Sequence, residues 1–202
     1  MKMYTFFCVG LALLCFGNLC WADVLSFDDV TTAQQDWIPD EYGGFDVWSV
    51  FCVGKASLWA GSGYYNGLVS GDYVAYNGDG SAAEIQGQSF NIAGAYFTAA
   101  WNDGLNIDIE GYRDGALVYT RTAVVDTSGP TWVQLDITAV NRVRFTSYGG
   151  THNPEFTLYG TQFAMDDMSY SFNVSGPDLC DPEQSSRSFA PTTVRVGQPF
   201  EV

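Results

Sequence analysis

Apolar and polar positions alternate most clearly over residues 105–110, where Leu105, Ile107 and Ile109 are interleaved with Asn106, Asp108 and Glu110. A period of two is that of a strand with one buried and one wet face. Asn102-Asp103-Gly104 precedes this run and Arg113-Asp114-Gly115 follows it. Asp-Gly tolerates the positive φ of a tight hairpin, so residues 90–125 predict a β-meander. Comparable runs predict strands near 24–27, 45–52, 72–77, 82–86, 90–100, 105–112, 116–125, 131–137, 142–148 and 161–172. Turn signals separate them at Asn77-Gly78-Asp79-Gly80, Ser128-Gly129-Pro130 and Gly149-Gly150-Thr151-His152-Asn153-Pro154. Residues 53–71 read as loop, with Gly61-Ser62-Gly63-Tyr64-Tyr65-Asn66-Gly67 at their centre, and no window sustains a helical period. So many short strands call for a closed or double-layered antiparallel sheet, because open edges aggregate. The expected fold is all-β, an antiparallel jelly-roll-type sandwich. An immunoglobulin-like sandwich is the competitor, but its paired-cysteine and buried-tryptophan spacing is absent.

The ends divide the chain further. Lys2, the apolar run Tyr4 to Cys15 and the small residue Ala22 predict a signal peptide over 1–22, cleaved before Asp23. A β-sandwich domain is then expected over 23–175 and a Pro- and Ser-containing tail or linker over 176–202. No later run is apolar and long enough for a spanning helix, so the mature chain is expected to be secreted. Without Lys2 there are seven basic residues against 23 acidic ones, a formal charge of −16. That excludes nucleic acid, which needs clustered Lys and Arg, and disfavours an anionic membrane surface. It also leaves a surface able to recruit divalent cations, or simply a well-solvated one. Cys8, Cys15 and Cys20 leave with the signal. Cys52 and Cys180 remain, either paired in an oxidising compartment or left as a buried thiol and a mobile one. Pairing would close a long loop, worth roughly 5 kcal/mol on the chain-entropy model. Two cysteines and one histidine do not make a structural zinc site.

Several segments together resemble a family of secreted bacterial proteins of the PEP-CTERM exported type. They are Leu25-Ser26-Phe27-Asp28-Asp29, Ile38-Pro39-Asp40-Glu41-Tyr42-Gly43-Gly44-Phe45, Gly61-Ser62-Gly63-Tyr64, Ser70-Gly71-Asp72-Tyr73-Val74-Ala75-Tyr76-Asn77, Ala99-Ala100-Trp101-Asn102-Asp103-Gly104 and Phe163-Ala164-Met165-Asp166-Asp167. The resemblance implies a galactose-binding-like sandwich, related in shape to carbohydrate-binding modules and without an assigned activity. The family's Pro-Glu-Pro signal, apolar helix and basic cluster are missing before Val202, so release rather than surface sorting is expected. In such sandwiches the first and last strands lie together, often with a calcium ion near their ends. The resemblance therefore makes Asp28, Asp29, Asp166 and Asp167 candidate ligands of a structural Ca²⁺, against ordinary solvent-facing acids.

Sugar recognition needs flat rings for the C–H face of a pyranose and polar neighbours for its hydroxyls. Tyr64-Tyr65-Asn66 in its Gly-rich loop and Trp101-Asn102-Asp103 are the candidate ligand-binding residues, followed by Trp59. Trp37, Trp48 and Trp132 sit in or beside strand patterns and are read as core, a reading that also competes for Trp101. Asn106-Ile107-Asp108-Ile109-Glu110 resembles the Glu-Ile-Asp-Ile-Glu strand of a jelly-roll family of β-glucanases. The nucleophile position is Asn106, which cannot form a glycosyl ester, although Asp108 and Glu110 remain as a same-face pair with Cα atoms about 7 Å apart. His152 has no Gly-x-Ser-x-Gly elbow to serve and reads as a loop histidine. Asn173-Val174-Ser175 is an N-glycosylation sequon, meaningful only in a glycosylating host. The reading is a secreted, non-catalytic module that binds an extracellular glycan or surface polymer. The alternatives are a glycoside hydrolase working through Asp108 and Glu110, or a purely structural matrix component.

Overall fold

The computed structural model describes residues 22–173. The expected signal peptide, the expected tail and Cys180 lie outside the described residues. Twelve strands follow in order: β1 (Asp23–Leu25), β2 (Gln35–Trp37), β3 (Val47–Ser49), β4 (Phe51–Lys55), β5 (Tyr73–Asn77), β6 (Ala83–Ala99), β7 (Asn102–Asp103), β8 (Leu105–Arg113), β9 (Ala116–Val125), β10 (Thr131–Tyr148), β11 (Thr151–His152) and β12 (Phe163–Phe172). One helical turn, α1 (Gly63–Asn66), starts at Ser62, whose hydroxyl accepts from the Tyr64 N–H. Every strand pair is antiparallel, as the all-β sandwich expectation requires.

Two long strands belong to both layers. In the first layer the order is β2-β4-β5-β12, then the C-terminal half of β6 and the N-terminal half of β10. The second layer runs β9-β8, then the C-terminal half of β10, the N-terminal half of β6, and β3. Register shifts along β10 between Gln134 and Arg142 mark where it bends from one layer to the other. Asp136 and Ala139, both at φ 52°, sit within that bend. Between the layers Phe145 faces Phe51, Phe97 and Phe163, with ring centroids 5.7, 6.1 and 6.1 Å away. The alternating residues Leu105, Ile107 and Ile109 are fully buried there.

Residues 82–86 and 90–100 are therefore one strand, as are 131–137 and 142–148; what reads as a turn in each is a bend. The run 45–52 is instead divided at Val50, which takes φ 65°. Only half of the expected meander forms. Asp114 and Gly115 (φ 50° and 82°) close a hairpin between β8 and β9. At Asn102-Asp103-Gly104 the chain crosses from one layer to the other, because β6 is already flanked by β12 and β10. There the Gly104 N–H donates to Asp126, and β7 pairs with β11.

The outer face of the first layer is not simply wet. Val74, Ala100 and Ala164 point away from the main core and are buried under Tyr64 and Trp101, with Trp59, Leu68, Tyr76 and Phe156 packed around them. Residues 56–71 and the loop after β11 supply this cover and make a second, smaller core.

Candidate ligand cleft

At the β2 edge of the first layer the cover stops and a cleft opens. Register places Trp37, Cys52 and Tyr76 side by side on neighbouring strands, all on the outer face. Trp37 is on β2, the edge strand among the described residues, and 62% of its surface is exposed. Tyr76 is held from behind by Trp59 and Tyr64, at centroid distances of 5.5 and 5.2 Å. Gly78, whose N–H donates to the Val50 carbonyl, brings bare backbone against the row. A β-carbon there would lie 3.4 Å from the Cys52 sulfur and 3.6 Å from the Trp37 ring. Gln35, Asp36 and Asp79 complete a space of about 350 Å³. Asp36 is steadied by the Thr31 hydroxyl and the Trp37 N–H. Asp79 occupies a left-handed turn position, φ 53°.

The electrostatics of this space are negative. Burial raises the Cys52 thiol above its ordinary range; the Tyr76 hydroxyl bond lowers it in part, and Asp79 and Asp36 push it up again. Tyr76 is raised too, by burial first and then by its Cys52 and Asp79 neighbours. Cys52 is a free, buried thiol among the described residues, and its expected partner Cys180 lies outside them.

The residues expected to bind sugar lie elsewhere. Tyr64 and Trp101 are 4% and 6% exposed and stack edge to face in the second core, so neither ring face is open to a ligand. Burial is also the main reason why the Tyr64 hydroxyl is held far above its usual range. Tyr65 is half exposed on α1. Asn66 and Asp103 do come together, on Thr127: the Asn66 amide donates to its carbonyl, while its N–H and hydroxyl donate to Asp103. With Asp126, Asn153 and Glu155 they line a polar cleft of about 470 Å³. Asn102 donates to the Gly149 carbonyl, which fixes the neighbouring loop. Trp48 is core, as expected, but Trp37 and Trp132 are not. Trp132 lies across Gly94, where a β-carbon would come within 2.6 Å of its ring, and its indole N–H donates to Gln134.

Three of the four aspartates proposed for calcium, Asp28, Asp166 and Asp167, clamp one loop, and Asp29 bonds elsewhere. Asp28 accepts from the N–H groups of Asp72 and Tyr73, at 2.7 and 3.2 Å. Buried Asp166 accepts from those of Val69, Ser70 and Asp167, at 2.8, 3.1 and 2.8 Å. Asp167 takes the Ser70 hydroxyl, and Asp29 takes the Tyr42 hydroxyl. A calcium ion needs six to eight oxygens, and these carboxylates are already occupied by N–H and O–H donors. Among the described residues no group of three or more His, Cys, Asp or Glu side chains is arranged to hold a metal ion. The side chains present do not fit the cation; backbone N–H groups and neighbouring hydroxyls take up the carboxylate oxygens instead.

Asp108 and Glu110 project from β8 on the outer face of the second layer. Asp108 accepts from Thr122 and Tyr148, Glu110 from Tyr112, and Arg142 lies 4.0 Å over the Tyr112 ring. Each carboxylate is thus tied to a neighbouring hydroxyl in an open cross-strand ladder. His152 stacks on Tyr159 at 3.9 Å, and its Nε2 lies 3.1 Å from the Phe156 carbonyl oxygen. Asn173 is exposed at the end of the described residues and bonded to Ser89 and Asn91.

No family model matches the chain, and no curated protein matches it. Among solved structures, a DUF4465 family protein from Bacteroides caccae is similar at 13% identity, over 74% of this chain and 98% of that one, with a TM-score of 0.49. A DUF4465 family protein from Bacteroides ovatus is similar at 11% identity, over 76% and 95%, with a TM-score of 0.43. TmCBM61, solved in complex with β-1,4-galactotriose, is similar at 15% identity, over 64% and 91%, with a TM-score of 0.33.

Proposed function

We propose that this chain is a non-catalytic extracellular binding module that takes a glycan in the cleft beside Trp37. The observation that carries the reading is an indole 62% exposed on an edge strand, beside a second ring and above a preformed polar space. An apolar ring face and a few convergent polar groups are what a pyranose requires: the ring covers C–H groups while Gln35, Asp36 and Asp79 meet hydroxyls. The leader-like N-terminus fits a protein working outside the cell. Among the described residues no helix is long and apolar enough to cross a membrane.

The test is calorimetric titration with hexasaccharides of β-1,4-linked glucose, xylose, galactose, mannose, glucosamine and N-acetylglucosamine. At least one is expected to bind, and Trp37→Ala should weaken it about tenfold or more with the melting temperature unchanged. No reducing ends should be released on incubation. Wild-type protein that binds none of the six overturns the reading; binding that survives Trp37→Ala removes the cleft from it.

A further inference from the structure

We infer that the sugar unit seated beside Trp37 carries a positive charge, that is, a protonated amino sugar. The inference rests on the glycan reading and names its ligand class. Seven residues line the cleft; the two with formal charge, Asp36 and Asp79, are both acidic. The remaining surfaces are an indole, a phenol, a thiol, an amide and glycine backbone. Ionised carboxylates only accept hydrogen bonds, so their partner must be a donor. A ligand rich in N–H⁺ donors matches that surface, and each contact becomes a charge-assisted bond.

The aromatic groups point the same way. A cation is drawn to the faces of Trp and Tyr, Trp most strongly, and here both rings border the same space. After burial, which is the main cause, Asp79 and Asp36 also push the Cys52 thiol up, in keeping with two carboxylates close to this space. Among the described residues no salt bridge reaches Asp36 or Asp79. Lys55, on the same strand as Cys52, turns instead over the Tyr73 ring, 5.3 Å from its centroid. Within the described residues the two salt bridges both use Glu84, with Arg142 and Arg144 on the other layer. Among the described residues, two carboxylates and two aromatic rings share this cleft with no cationic side chain lining it.

The experiment compares β-1,4-glucosamine hexaose, its fully N-acetylated form and cellohexaose, by calorimetry at pH 6 and at low and high salt. The glucosamine hexaose is expected to bind at least about tenfold tighter than either neutral hexaose. That advantage should shrink in high salt and collapse in the Asp36→Asn/Asp79→Asn double variant, whose exposed substitutions leave the melting temperature in place. Tetramethylammonium serves as the sugar-free cation. Equal or tighter binding of a neutral hexaose, lost on Trp37→Ala, overturns the charge inference and leaves the glycan reading standing. Binding of tetramethylammonium but of no hexaose overturns the amino-sugar inference and leaves a small-cation site, while the glycan reading still rests on the other three oligosaccharides. Binding of none of the four overturns this inference.

Discussion

Two sets of aromatic residues on the outer face of the same layer behave in opposite ways. Tyr64 and Trp101, one from a glycine-rich loop and the other beside a glycine turn, are inside a second core. Trp37 and Trp132, from strand-like sequence, stand in the open on strands at the two edges of the layer. The difference lies in what each ring has above it. The middle of the face, at Val74, Ala100 and Ala164, is apolar and demands a cover, so the loop folds its rings down onto it. The edges are beyond the reach of that cover. Surface loops do usually carry binding residues, but here the loop is a lid on the sheet, and the strands carry the exposed rings.

The largest expected effect tests that division directly. Trp101→Ala should cost about 3–5 kcal/mol in a denaturant titration, as for a large ring removed from a packed interior. Trp37→Ala should change the same titration by no more than about 0.5 kcal/mol, as for an exposed site. A Trp101→Ala protein as stable as the wild type would mean that the second core does not exist.

Next in size is the fastening of the cover. Gly71 sits at φ 57°, and a β-carbon there would lie 2.0 Å from the Asp28 carboxylate oxygens. Gly71→Ala thus combines a left-handed backbone that L-residues disfavour with a collision against the acid that holds Asp72 and Tyr73. A loss of about 2 kcal/mol or more is expected by thermal melting. If the variant melts unchanged, Asp28 is not the clamp of this loop.

The same clamp gives a pH dependence. Burial raises the Asp166 carboxyl to about 7, in spite of three backbone N–H donors and with Asp167 nearby. A carboxyl raised above its unfolded value of about 4 favours the folded state while protonated. Its contribution is complete below about pH 4 and is lost as pH rises through about 7. Melting temperatures between those limits should therefore fall more steeply with pH for the wild type than for Asp166→Asn, which keeps an acceptor and carries no charge. Parallel curves would show that the amides, and not burial, decide this group.

Much of this was readable in the chain, and the unread part has identifiable causes. Alternation located β8, and Asp114-Gly115 located its hairpin, because both signals are local. That β6 and β10 each serve two layers was hidden, since a bend within a strand has the same composition as a turn between two. β2 is three residues long and too short to show a period. A signal for the second core did exist: Tyr73-Val74-Ala75-Tyr76 and Ala99-Ala100-Trp101 are unbroken apolar runs, the mark of strands covered on both faces. Read so, Trp101 belongs inside. Nothing comparable marks Trp37, because its exposure depends on β2 being the edge strand among the described residues, which is a property of the assembled sheet.

The smallest effects separate the two exposed tryptophans from each other. Trp132 is held from three sides: flat on Gly94, edge to face with Tyr96 at 5.1 Å, and hydrogen-bonded through its indole to Gln134. Trp37 has an open indole face above the cleft and is the more exposed, at 62% against 40%. Trp132→Ala should then cost about 1 kcal/mol, the scale of one aromatic pair, where Trp37→Ala costs almost nothing. Acrylamide quenching reads the same contrast without unfolding the protein. Trp37→Phe should remove most of the readily quenched emission, and Trp132→Phe a smaller share. Equal losses would place both rings in the same environment, and the cleft beside Trp37 would then have no more claim to a ligand than the surface over Gly94.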